Sequence, residues 1–234
     1  MMLNLRQLTK HLLKAIIGDL PRPVIVIGGT GCVGKSTFAI ELQADLLQTS
    51  GRSVSVLDLD CYLTERHRRE TDERVVTGYD PAGYRLESAV KDIESLLEGH
   101  AVRVFPYDKA TSRMGQKMCI NPAEVLVIEG VMALTDDIRR FRSVGMFMDA
   151  ATQILYANRL ARETALGFER ERIERKFQLL SRDYDRFIRP QRDHAEMLIE
   201  IGDNYSFTRL LICDTPPSKS IQRSRPPVCG CSEV

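Results

Sequence analysis

Residues Gly29 to Ser36 read Gly-Thr-Gly-Cys-Val-Gly-Lys-Ser, a complete G-x-x-x-x-G-K-[ST] pattern, and the preceding Val24-Ile25-Val26-Ile27 is wholly apolar and β-branched. Together they restrict the chain to folds in which a buried strand ends in a glycine-rich turn that opens a helix. Gly29, Gly31 and Gly34 let the backbone curl until the loop amides, those of Thr30, Cys32 and Val33 included, converge on phosphate oxygens. Lys35 is placed to reach the β- and γ-phosphates, and the Ser36 hydroxyl to ligate Mg²⁺. Thr37-Phe38-Ala39-Ile40-Glu41-Leu42 follows as a first helical turn, whose free N–H groups and dipole favour an anion. The segment predicts a nucleoside triphosphate site; a chance glycine-rich turn would not bring both strand and helix with it.

The remaining chain alternates strand and helix signals. Leu3, Leu5, Leu8, Leu12, Leu13, Ile16 and Ile17 predict a helix over 1–20, stopped by Gly18, Pro21 and Pro23. A strand is expected at 53–57, then a charged stretch, 64–74, that reads as a mobile surface segment. Leu86, Ala89, Val90, Ile93, Leu96 and Leu97 mark a helix ending at Gly99. Further strands are expected at 102–105, 125–128, 144–148, 197–201 and 210–213, with an Arg- and Glu-rich helix over 154–175 broken at Gly167. This alternation predicts an α/β fold with a mostly parallel sheet covered on both faces, and ligands at the carboxyl ends of its strands. At 234 residues, 43% of them hydrophobic, the chain suffices for one sizeable core, assigned to residues 21–214. From Thr215 onward the chain is rich in Pro, Ser and Arg and is expected to form an unstructured tail over 215–234.

A formal charge of +1 and a pI near 7.6 give no reason to expect nucleic acid or an anionic membrane as partner. No apolar run approaches the roughly 18 residues of a membrane span, and no signal-peptide pattern opens the chain, so a cytoplasmic protein is expected. The six cysteines, Cys32, Cys61, Cys119, Cys213, Cys229 and Cys231, are scattered, which suits a reducing compartment; Cys229-Gly-Cys231 alone is a weak metal signal.

What happens to a bound phosphate depends on acids at neighbouring strand ends. Asp58 and Asp60 close the second strand, where one carboxylate can take the proton of an attacking hydroxyl. Glu129 ends the all-apolar run Val125-Leu126-Val127-Ile128, the place for an acid beside Mg²⁺.

These residues resemble the uridine kinase-like branch of P-loop kinases, which includes uridine kinase, phosphoribulokinase and bacterial pantothenate kinase. The resemblance spans about 24–201. Asp60-Cys61-Tyr62-Leu63 is similar to the family's D-x-[FY]-[YL] segment and makes Asp60 the proton acceptor. Tyr79-Asp80-Pro81-Ala82-Gly83-Tyr84 is similar to the aromatic-Asp…Pro…aromatic stretch, implying Asp80 and Tyr84 at the acceptor. Val104-Phe105-Pro106-Tyr107-Asp108 resembles the P-x-Y-D segment, implying Tyr107 at the same pocket. Val127-Ile128-Glu129-Gly130-Val131-Met132-Ala133-Leu134 matches the strand-Glu-Gly-Ile-x-Ala-Leu signature. Arg159-Leu160-Ala161-Arg162-Glu163 before Gly167 fits the lid pattern R-x-x-R-D with Glu for Asp, implying that Arg159 and Arg162 fold over the transferring phosphoryl group; an Arg/Glu helix is equally often a solvated face. Phe187-Ile188-Arg189-Pro190 and 194–199 look like the closing helix and final strand.

The resemblance implies a P-loop NTPase three-layer fold with a helical lid, and ATP-dependent transfer to a small-molecule hydroxyl with Mg²⁺, with a homo-oligomer left open. The acceptor segment departs from the uridine kinase pattern Y-D-F-x-x-H-x-R. Here Tyr107-Asp108-Lys109-Ala110-Thr111-Ser112-Arg113 is one residue shorter, with Lys109 for the aromatic and no histidine. Lys109 and Arg113 suggest an anionic acceptor, against ordinary surface charge. A nucleoside kinase, a kinase of an anionic metabolite and a non-catalytic nucleotide-binding regulator stay open at this point.

Overall fold

The structure is a computed structural model that describes residues 18, 20–71 and 74–213. The helix expected over 1–20, apart from residues 18 and 20, and the tail expected over 215–234 with Cys229 and Cys231 lie outside the described residues.

Strand β1 (Val24–Gly29) runs into helix α1 (Lys35–Ser50), and β2 (Val54–Asp58) follows. Helix α2 (Leu86–Leu97) precedes four short strands, β3 (Val102–Val104), β4 (Tyr107–Asp108), β5 (Arg113–Met114) and β6 (Met118–Ile120). Then come β7 (Val125–Glu129), β8 (Val144–Ala150), helices α3 (Thr152–Ala165) and α4 (Arg170–Asp183), and strands β9 (Met197–Ile201) and β10 (Phe207–Ile212).

One six-stranded sheet, ordered β10-β9-β8-β1-β7-β2, carries the fold. Five strands are parallel and β10 closes the edge antiparallel to β9. The central strands are buried on both faces, which is why they read as unbroken apolar runs. Ile25 and Ile27 pack with Phe38, Leu42 and Leu46 of α1 on one side. Val24 and Val26, one residue out of phase, pack in the cluster holding Ala89, Ile93 and Leu96 of α2 on the other. Strand β1 lies between β7 and β8: the chain runs from β1 to β2 and β7 on one side, then crosses to β8 on the other. The crevice this opens at its carboxyl end is where such sheets bind ligands.

Two expectations change. The strand at 102–105 forms, but as β3 it pairs antiparallel with β6, outside the main sheet. The stretch expected as a mobile surface is folded in its described part. Arg66–Arg69 makes a helical turn, and Arg69 is buried with its guanidinium bonded to the Thr64 and Val76 carbonyls at 2.5 and 2.8 Å. The break at Gly167 occurs as expected: its φ of +83° separates α3 from α4.

Candidate active site

The phosphate-binding loop is shaped by residues with no room for a side chain. A Cβ on Gly29, whose φ is +121°, would lie 2.0 Å from the Met148 carbonyl oxygen of β8. Cys32 holds a left-handed φ of +66°, uncommon outside glycine and a mark of stored strain at a functional turn. Lys35 is buried and donates to the Thr30 carbonyl at 2.6 Å; burial holds its ammonium below the ordinary lysine value. The residues from Gly31 to Phe38 line one cavity of about 750 Å³, within the range of small-molecule sites. Gly29 and Thr30, counted with the ligand-binding loop from sequence, do not line it.

Two strand ends deliver acids to this cavity. Glu129 is 3% exposed at the end of β7 and accepts the Ser36 hydroxyl at 2.6 Å. Burial raises its pKa, against the pull of Lys35 and Ser36. A hydroxyl and a carboxylate are the hard oxygen ligands that Mg²⁺ takes. Among the described residues no group of three or more His, Cys, Asp or Glu is placed to hold a metal. Ser36 and Glu129 together would fit an ion that takes the rest of its shell from water and phosphate oxygens. Asp60 lines the cavity, whereas Asp58 turns back to accept the Asp60 N–H at 2.8 Å. Burial, with Asp60 and Glu129 adding to it, pushes Asp58 well above the carboxylate range.

On the acceptor side, Tyr84 and Tyr107 line the cavity, their hydroxyls tied to the Gly78 carbonyl at 2.9 Å and to Arg69 at 3.3 Å. Lys109 lines it too, but its ammonium sits 3.1 Å from Asp60. Burial draws that ammonium down, and Asp60 and Asp58 more than restore it. Two expected residues are elsewhere. Arg113 is exposed on β5 and does not line the cavity, because it pairs across the hairpin with exposed Asp108, on the face opposite Tyr107. Asp80 caps its own turn by accepting the Ala82 N–H at 2.9 Å and also lies off the cavity.

The lid divides between the two readings its sequence allowed. Arg159 and Glu163 on α3 are 5% and 4% exposed and paired at 2.8 Å, and Lys176 of α4 joins the same carboxylate oxygen at 2.8 Å. Arg162 lines the cavity, 3.6 Å from Glu163. Arg175, which also lines the cavity, and Glu171 on α4 are 70% and 79% exposed and form an ordinary solvated pair.

Sequence reasoning passed over several lining residues. Arg66 and Arg69 were hidden in the charged stretch, and Phe168, flanked by the Arg66 and Arg172 guanidiniums at 5.9 and 4.4 Å, gave no signal. Tyr205 and Phe207 line the far end beside Gly34 and Phe38, with the Phe38 and Phe207 rings 5.7 Å apart, edge to face. In all, nine Lys and Arg and five Asp and Glu side chains line the cavity, a surplus suited to a polyphosphate.

The profile of the Phosphoribulokinase / Uridine kinase family matches residues 24–206. A uridine kinase of Shewanella halifaxensis is 30% identical over 186 residues, 76% of this chain and 87% of that protein. One of Halalkalibacterium halodurans is 29% identical over 191 residues, covering 77% and 87%. Among solved structures, D-glycerate 3-kinase of Cryptococcus neoformans superposes with a TM-score of 0.64 at 9% identity, covering 89% of this chain and 98% of that one. Phosphoribulokinase of Rhodobacter spheroides gives 0.61 at 11%, covering 77% and 70%. Those two likenesses show the fold.

Proposed function

This chain belongs to the phosphoribulokinase/uridine kinase family of phosphotransferases that act on an alcohol group, and from that premise we propose that it moves the γ-phosphate of ATP to a hydroxyl of a small molecule. In this reading Lys35 and the loop amides grip the phosphates, Ser36 and Glu129 hold Mg²⁺, and Asp60 takes the acceptor proton. Mg²⁺ bound there would neutralise charge on the transferring group. Arg159 and Arg162 meet the same charge from the lid. The observation that carries the reading is the Ser36–Glu129 hydrogen bond of 2.6 Å, in one cavity with Asp60, Arg159 and Arg162.

A nucleoside acceptor is supported by the relatives named uridine kinase. A second reading, a phosphorylated or carboxylated acceptor, is supported by Lys109 and Arg66 at the cavity wall. Screening a metabolite panel with labelled ATP tests both: the wild type should label a hydroxyl compound, and Lys35→Ala should lose turnover by orders of magnitude. An anionic acceptor whose KM rises about tenfold in Lys109→Ala, and not in Arg113→Ala, selects the second reading. Nucleotide binding without product would instead mark a regulator.

A further inference from the structure

Tyr79 stands where the family pattern asks only for an aromatic ring, yet its hydroxyl reaches three groups around the phosphate loop. Its Oη lies 2.7 Å from Thr30 Oγ1, accepts the Gly31 N–H at 2.6 Å, and lies 3.4 Å from Arg159 Nη2. The Gly31 amide and the guanidinium can only donate, so the phenol proton goes to Thr30 Oγ1 and every lone pair is used. The ring is 6% exposed. Its backbone is pinned as well: Tyr79 N–H donates to the Thr77 hydroxyl at 3.0 Å, which donates to Asp183 at the end of α4 at 2.7 Å. One phenol thus joins the phosphate loop, the lid arginine and the segment lining the acceptor side. A Cβ on Gly31 would meet the Tyr79 hydroxyl at 2.9 Å and Arg159 at 3.1 Å, so the junction has no slack.

Resting on the kinase reading above, we propose that Tyr79 is a positioning residue for the γ-phosphate end of the site, its hydroxyl holding the Gly31 end of the loop and the Arg159 guanidinium in one geometry. The amides nearer the start of α1 meet the inner phosphates. The Gly31 and Arg159 end meets the outermost one, so loss of the hydroxyl penalises a nucleoside triphosphate more than a diphosphate.

The test titrates the full chain with Mg²⁺ and the β,γ-imido analogue of ATP, and separately with Mg²⁺ and ADP, in the wild type, Tyr79→Phe, Thr30→Val and the double variant. Thermal melts establish that each is folded. Tyr79→Phe should weaken the triphosphate analogue about tenfold and ADP less than about twofold. Thr30→Val, which removes the loop-side partner, should give the same bias even if Tyr79→Phe folds poorly, and the double variant should lose little more than either single one. A general loss of packing would weaken both nucleotides alike. Equal weakening, no weakening, or fully additive losses would overturn the proposal and leave the kinase reading intact; a wild type that binds neither nucleotide would overturn both.

Discussion

At the scale of single residues, two aspartates two positions apart have opposite fates. Asp58 ends β2 and folds back as a cap on the following turn, while Asp60 faces the cavity with Lys109 at its side. Asp60→Asn keeps the shape and removes the proposed proton acceptor, so turnover should fall by roughly two to four orders of magnitude with little change in stability. Asp58 is half-buried, burial and its acidic neighbours raise its pKa, and Asn caps nearly as well as Asp. Asp58→Asn should therefore keep most of the activity. Steady-state kinetics of the two variants decide between them, and the reverse pattern would make Asp58 the proton acceptor. The register of Asp60-Cys61-Tyr62-Leu63 pointed to Asp60 over Asp58, and of the two it is Asp60 that lines the cavity. Of Lys109 and Arg113 only Lys109 lines the cavity, a split that follows from the β4–β5 register, which spacing alone did not reveal.

At the scale of elements, the lid hangs on a carboxylate. Glu163 joins α3 to α4 by holding Arg159 and Lys176, and Glu163→Gln leaves those cations crowded without their counter-charge. The expected result is a loss of about 1–3 kcal/mol in stability and a larger rise in the KM for ATP than for the acceptor, read by thermal melts and initial rates. Burial pushes the Glu163 carboxyl up, but Lys176 and Arg159 overcome it and hold it below its ordinary 4.5. A depressed acid stabilises the fold fully above its unfolded pKa and loses that contribution as pH falls through the lower folded value. Melts below about pH 4.5 should therefore show an acid-induced loss in the wild type that is smaller in Glu163→Gln. The strands and helices that build the sheet were legible because burial on both faces, or on one helical stripe, writes itself as apolar periodicity. The folded run around Arg69 was not: its guanidinium satisfies backbone carbonyls, and a charge used in that way looks the same in sequence as one facing water.

At the scale of the whole molecule, folding and ligand binding are linked because the loop, the acids and the lid all converge on the carboxyl end of one sheet. A ligand present at a hundred times its Kd stabilises by about 2.7 kcal/mol. For a chain of this size that is a rise of roughly 5–10 °C in Tm with Mg²⁺ and ATP, absent in Lys35→Ala, as thermal melts with and without nucleotide would show. The hairpin of β4 and β5, by contrast, pairs only with itself and lies apart from the six-stranded sheet, while contributing Tyr107 and Lys109 to the cavity. In the proposed function, acceptor choice then rests in part on a hairpin outside the nucleotide-binding sheet, tied to the rest of the site through Asp60, Glu65, Arg66 and Arg69. Exchanging residues 107–114 offers a way to change what is phosphorylated while leaving untouched the machinery that holds the donor.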